Sequence, residues 1–236
     1  MKTNIQQTRR GFTLVELLVV IVIIAALAGL TAPMVIRQRK KADQTQAISN
    51  ARQIGLAMLE FESDYGSFPG AATQTQLNVN FPAATVTGDT TGSNGYFRQL
   101  FQAGMTQSEE MFYAKVKKSK KPDGNIDTSA TALATNEVGF SYIISGLEGL
   151  SSAGNPARII CATPSAPGST TDFDIDPFDS KAVLLRIDNS VAAVTISAAA
   201  NTSTGKALVG GLDVLDSNNP IWGGVITPTL VLPDGL

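Results

Sequence analysis

The sequence predicts an α+β protein: one long N-terminal α-helix packed against a C-terminal antiparallel β-sheet. Three observations carry this. Residues 12–36 are apolar or small, with Glu16 the one charged residue. Ala47, Ala51, Ile54, Met58, Phe61 and Tyr65 then recur at alternating spacings of four and three, the signature of one helix face. Beyond residue 137, runs rich in β-branched residues alternate with polar turns, as in half-buried strands.

The apolar run is long enough to span a bilayer as a helix, since after Glu16 no charge appears until Arg37. A secretory signal would be shorter and end in a small-residue cleavage site, whereas this run passes through Gly29 and Pro33 into the amphipathic stripe. From Phe12 to Tyr65 the helix would extend about 80 Å at ~1.5 Å per residue. Its first part, residues 12–36, suits a membrane. Residues 37–66 are its amphipathic second half, with Asp43, Arg52 and Glu60 opposite the apolar stripe. Pro33 lacks the N–H that would bond back to Gly29, so a kink or locally melted turn is expected there. Tyr65-Gly66-Ser67-Phe68-Pro69 supplies the helix stop, with glycine for a left-handed cap and proline to prevent continuation.

Residues 67–236 are long enough for one globular domain with its own core. Within it, residues 70–95 read as a surface loop or weak edge strand, being rich in Thr, Ala, Gly and Asn. Short helices are expected at residues 96–105 and 108–115. Residues 138–144 and 158–163 are candidate strands. Residues 182–188 and 191–197 form an expected hairpin about Asn189-Ser190. Cys161 is the sole cysteine, so no intrachain disulfide can form; it reads as a small buried strand residue.

Composition excludes much catalysis. There is no histidine, hence no Ser-His-Asp machinery and no histidine zinc site, and no phosphate-cradling glycine loop is present. No other constellation supplies an active site, so a non-enzyme is expected and no organic cofactor is implied. Net charge is −2 from 18 basic and 20 acidic residues, which is no footprint for nucleic acid. Lys115, Lys117, Lys118, Lys120 and Lys121 form a basic run without aromatic interleaving after Tyr113, and read as a solvated loop. Asp172, Asp174, Asp176 and Asp179 are calcium candidates, since loop carboxylates suit that ion. They lack the glycine and terminal glutamate of an EF-hand, and the alternative is a solvated acidic loop.

Glu16 remains to be explained, because a carboxylate in an apolar helix must reach the headgroups, protonate or find a partner. The stretch Gly11-Phe12-Thr13-Leu14-Val15-Glu16, after a short basic segment and before the apolar helix, resembles the cleavage and methylation motif of type IV prepilins and type II secretion pseudopilins. That resemblance covers residues 1–36, and more weakly extends to residue 69. It implies a pilin-like fold and a leader, residues 1–11, removed by a prepilin peptidase between Gly11 and Phe12. It implies N-methylation of Phe12, and pairing of Glu16 with the new Phe12 amine of a neighbouring subunit as a filament grows. A pseudopilus or pilus, an assembly ATPase, a platform protein and contact with membrane lipid before assembly are implied with it.

Orientation is not settled by charge. Lys2, Arg9 and Arg10 flank one side of the apolar run, and Arg37, Arg39, Lys40 and Lys41 the other. The resemblance places the leader in the cytoplasm, the chain in the bacterial inner membrane, and the globular domain in the periplasm or, after assembly, at the cell surface. Lacking the disulfide that many pilins use to close a C-terminal loop, the chain leans toward the pseudopilins. The alternative is a membrane-anchored periplasmic binding module that never polymerises, with Glu16 merely snorkelling.

Overall fold

The computed structural model describes residues 12–236, so Gly11 and the rest of the expected leader lie outside the described residues. The chain divides into two compact units, residues 1–39 and Lys40–Leu236. Helix α1 spans Leu14–Tyr65, 52 residues, and is helical throughout, including Gly29 and Pro33. In the first unit the helix is exposed along its described length.

Within the second unit α1 buries the face that the four-and-three spacing marks. Ala47, Ala51, Ile54, Met58 and Phe61 are fully enclosed, while Arg52, Gln53, Glu60 and Asp64 face outward. Phe61 stacks on Tyr65 with ring centroids 4.6 Å apart. Small residues let other segments come close: a side chain at Gly55 would meet the Oδ1 of Asn189, from the β-hairpin, at 2.1 Å. Asp43, expected on the outer face, is half-buried and lies 3.1 Å from Lys115 Nζ. The helix ends where glycine was expected to end it. Gly66 adopts φ +82 and donates to the Glu62 carbonyl at 2.7 Å, satisfying an otherwise orphaned last-turn group.

Residues 71–80 correct the loop reading of that region: Ala71–Asn80 is helix α2. Leu77 is its one large buried apolar side chain, and the helix is held mainly by polar contacts. Thr73 Oγ1 accepts from Gly70 N at 2.8 Å and donates to Gln99 Oε1 at 2.7 Å, and Gln74 donates to Gln102 Oε1 at 2.9 Å. Those glutamines belong to helix α3, Ser93–Gln102, which begins three residues earlier than expected. The expected helix at 108–115 shortens to one 3₁₀ turn, Glu110–Phe112, after which the chain is extended.

The sheet is antiparallel and eight-stranded. Strands β1 (Ser141–Ser145), β2 (Ile159–Thr163), β4 (Lys181–Arg186) and β5 (Val191–Ser197) correspond to the expected strands with small boundary shifts. The β4–β5 hairpin is in register from Lys181↔Thr195 to Leu185↔Val191, closed by residues 187–190 instead of two residues. Strands β3 (Phe173–Asp174), β6 (Thr204–Val209), β7 (Leu212–Asp213) and β8 (Pro228–Val231) complete it. The order is β3-β6-β5-β4-β2-β1-β8, with β7 on β6. Cys161 is buried in β2 among this core, and burial pushes its thiol well up, so it is an inert packing residue.

Truncating the stacked, fully enclosed Phe61 tests how far α1 supports the second unit. Phe61→Ala is expected to lose about 3–5 kcal/mol of stability, read as a lowered urea midpoint for the detergent-solubilised chain. A loss under about 1 kcal/mol would show that the helix is not part of the cooperative core.

Candidate assembly site on the N-terminal helix

The start of α1 is built by two side chains. Thr13 is the N-cap: its Oγ1 accepts from the Glu16 backbone N–H at 3.3 Å. Glu16 reaches back, its Oε2 accepting from Thr13 N at 2.9 Å and from Thr13 Oγ1 at 2.8 Å. This reciprocal capping box satisfies two N-terminal donors that would otherwise be orphaned, in a position where a carboxylate also complements the helix dipole. Thr13-Leu14-Val15-Glu16 carries the T-x-x-E signature just ahead of an apolar run, a signal that the reading of Glu16 as a lone charge passed over.

Glu16 is thereby held at the helix start. Only its Oε2 is engaged in the cap; Oε1 makes no hydrogen bond among the described residues. Phe12, immediately before the cap, is 76% exposed.

Above the cap the helix presents apolar side chains on all sides, including Leu17, Ile21, Ile24, Leu27, Leu30 and Ile36, each more than half exposed. Such a surface marks a membrane or protein contact in any soluble setting. α1 is the one helix among the described residues that is long and apolar enough to cross a membrane. The hydroxyl of Thr31 is satisfied within the helix, its Oγ1 donating back to the Leu27 carbonyl at 3.0 Å. A side chain on Gly29 would meet nothing within 4 Å, so its smallness serves no packing within this chain.

Residues 7–32 match the family model described as the prokaryotic N-terminal methylation motif. The chain is also similar to type II secretion system core protein G of Klebsiella pneumoniae, 33% identical over 96 residues that cover 41% of this chain and 69% of the relative. The Aeromonas hydrophila protein of that name is 35% identical over 98 residues, 41% of this chain and 68% of the relative. This chain belongs to the prepilin and pseudopilin family. The Escherichia coli core protein G is 32% identical over 92 residues, covering 39% of this chain and 63% of the relative. No solved structure matches. In this pseudopilin-family chain the capping box therefore lies inside the matched motif, while the relatives account for about two-fifths of the chain's length.

The four calcium candidates are not brought together. Asp172 lies 3.0 Å from Lys206 Nζ, which holds its carboxyl below the usual range, with Ser169 donating as well. Asp174 is buried in β3 and accepts from the Asp176 N–H at 3.0 Å; Asp176 pairs with Lys40 at 2.7 Å; Asp179 sits in a turn at φ +54. No three of them offer ligand atoms within 4.8 Å of one another among the described residues.

Such a grouping occurs elsewhere, at Glu109, Asp123 and Glu137. These are the donor type divalent cations take, and nothing in the local sequence periodicity marks them. Glu109 and Glu137 are almost completely enclosed. Glu109 accepts from Leu133 N at 2.5 Å and Gly124 N at 2.9 Å, and Glu137 from Ala134 N at 2.9 Å, so backbone donors already tie these carboxylates into the loops they join. Burial is the main cause raising the Glu109 carboxyl above its ordinary range; the two N–H groups oppose this, and Glu137 and Asp123 add to it.

A carboxyl raised on folding binds its proton more readily in the native than in the unfolded chain. As pH falls from neutral through that raised value, toward the unfolded value near 4.3, the native state is favoured. The urea midpoint of wild type minus that of Glu109→Gln is therefore expected to rise as pH falls from 7 to 5. A difference that falls over the same interval would contradict the assignment.

Proposed function

We infer that the chain is a structural subunit of a type II secretion pseudopilus, made as an inner-membrane precursor and polymerised through α1. The observation that carries this is a capping box and an unpartnered apolar helix lying together inside a matched prepilin motif. In this reading a prepilin peptidase cuts between Gly11 and Phe12 and methylates the new Phe12 amine. That amine then meets Glu16 of a neighbouring copy, through the oxygen that the cap leaves free. The charge pair forms as two charges leave water together, which fixes the register between copies, since a carboxylate left alone in an apolar bundle is unfavourable. Gly29 and Pro33 supply a point at which the helix bends on passing from bilayer to filament, the missing Pro33 N–H leaving the Gly29 carbonyl without its usual donor. An assembly ATPase and a membrane platform protein would drive extrusion, and the globular unit would stand in the periplasm. The chain's own work is mechanical and not enzymatic.

The cap and the charge pair are separable. Glu16→Gln keeps a side-chain oxygen for the Thr13 N–H but removes the charge; Glu16→Ala removes both. Both variants are expected to insert in membranes and to lose sheared or cross-linked filaments in an otherwise intact secretion strain. If Glu16→Gln assembles normally while Glu16→Ala does not, Glu16 serves the helix cap alone. Full assembly by both variants would favour an anchored module that never polymerises.

A further inference from the structure

The lysine run has a definite place on the second unit. We propose that its turn, Lys117–Lys118, together with Lys41 and Lys115, is a docking surface for anionic phospholipid headgroups, engaged while the chain resides in the membrane. This rests on the reading of residues 12–36 as a membrane span.

The placement follows from three contacts. Asn50 Nδ2 donates to the carbonyls of Glu110 and Tyr113, at 2.9 and 2.8 Å, fixing that segment beside residue 50 of α1. Two residues further on, Lys115 Nζ lies 3.1 Å from Asp43 Oδ2. The segment therefore runs from beside residue 50 toward residue 43 of α1, with the long Lys115 side chain covering part of that span, toward the end from which the chain continues into the apolar run. It then reverses. Residues 117–118 form a turn, Lys118 adopts φ +65, and Ser119 N bonds back to the Val116 carbonyl at 3.1 Å. The tip of the run is therefore at the end of the unit nearest, along the chain, to the apolar helix.

Around the 117–118 turn the charge is basic: Lys41, Lys115, Lys117 and Lys118 stand beside Asp43, which pairs with Lys115, while Lys40 pairs with Asp176, whose loop also carries Asp174 and Asp179. Lys41 and Lys117 are exposed, and their ammonium groups have no hydrogen-bond or ion-pair partner among the described residues. Lys118, also exposed, reaches the Gly235 carbonyl at 3.3 Å. Lys40 and Lys41 follow the last apolar residue, Ile36, by only four and five positions in the sequence, and basic residues that close to a span in sequence are attracted to an anionic leaflet. Tyr113 is buried, so no exposed ring stands beside the lysines to stack a nucleic-acid base.

Lysine footprinting by acylation and mass spectrometry tests this on the full chain in vesicles. One set is phosphatidylcholine alone; the other adds about a third phosphatidylglycerol. Lys41, Lys117 and Lys118 are expected to react at least about twofold more slowly with phosphatidylglycerol present, with rates normalised to a soluble lysine peptide added to both samples, and the protection should vanish in about 0.5 M salt. Equal rates in both vesicles, or protection indifferent to salt, would overturn the proposal. So would duplex DNA protecting the same lysines on phosphatidylcholine vesicles, which would assign the run to nucleic acid. Failure of the chain to float with either vesicle would instead remove the membrane span on which the proposal rests.

Discussion

An apolar helix surface without a partner in its own chain governs the rest of this molecule. From Leu14 to Ile36 the large side chains of α1 stand exposed, and water cannot be their resting environment. A bilayer covers such a surface, and so does a bundle of identical helices. Each cover imposes the same demand, that polar groups along the segment be satisfied internally. Thr31 bonds to its own helix, and Thr13 and Glu16 close the helix start on each other. Two groups are left outside this scheme: the second oxygen of Glu16, which the cap does not use, and the Gly29 carbonyl, whose usual helical donor Pro33 lacks.

The same helix meets the opposite condition further along. Past Lys40 its inner face is enclosed, and its small residues are what permit close approach: Ala47 and Ala51 are fully buried, and Asn189 of the β4–β5 hairpin reaches Gly55. Asn50 ties the 110–113 segment to the helix with two hydrogen bonds. One continuous element thus carries an unpartnered apolar half and a half committed to a globular core. That division joins a half that needs an apolar cover from outside the chain to a half whose cover is the chain's own core.

Sequence legibility followed the source of each element's stability. The α1 stripe, β2 and the β4–β5 pairing were readable because burial of apolar residues at a fixed period holds them. Helix α2 was not, since apart from Leu77 it is held by Thr73 and Gln74 bonding to glutamines of α3, partners that no local pattern announces. Strand β6 contains Gly205 and Lys206 and takes its place from pairing with β5 and β3, a tertiary preference that overrides weak propensity. In the candidate site Phe12 and Glu16 were readable from the motif. The role of Thr13 was legible too, as the first residue of T-x-x-E, but needed the reciprocal geometry to stand out. The enclosed Glu109 and Glu137 were silent because they come from separate loops joined by the fold.

If the helix is released from a precursor before it polymerises, the chain gains a new N-terminus. The mass of the N-terminal peptide of the chain recovered from its native membrane reads this out. Release by a prepilin peptidase gives a peptide beginning at Phe12 and carrying one added methyl group. A peptide still beginning at Met1, in cells with an active prepilin peptidase, would rule that release out.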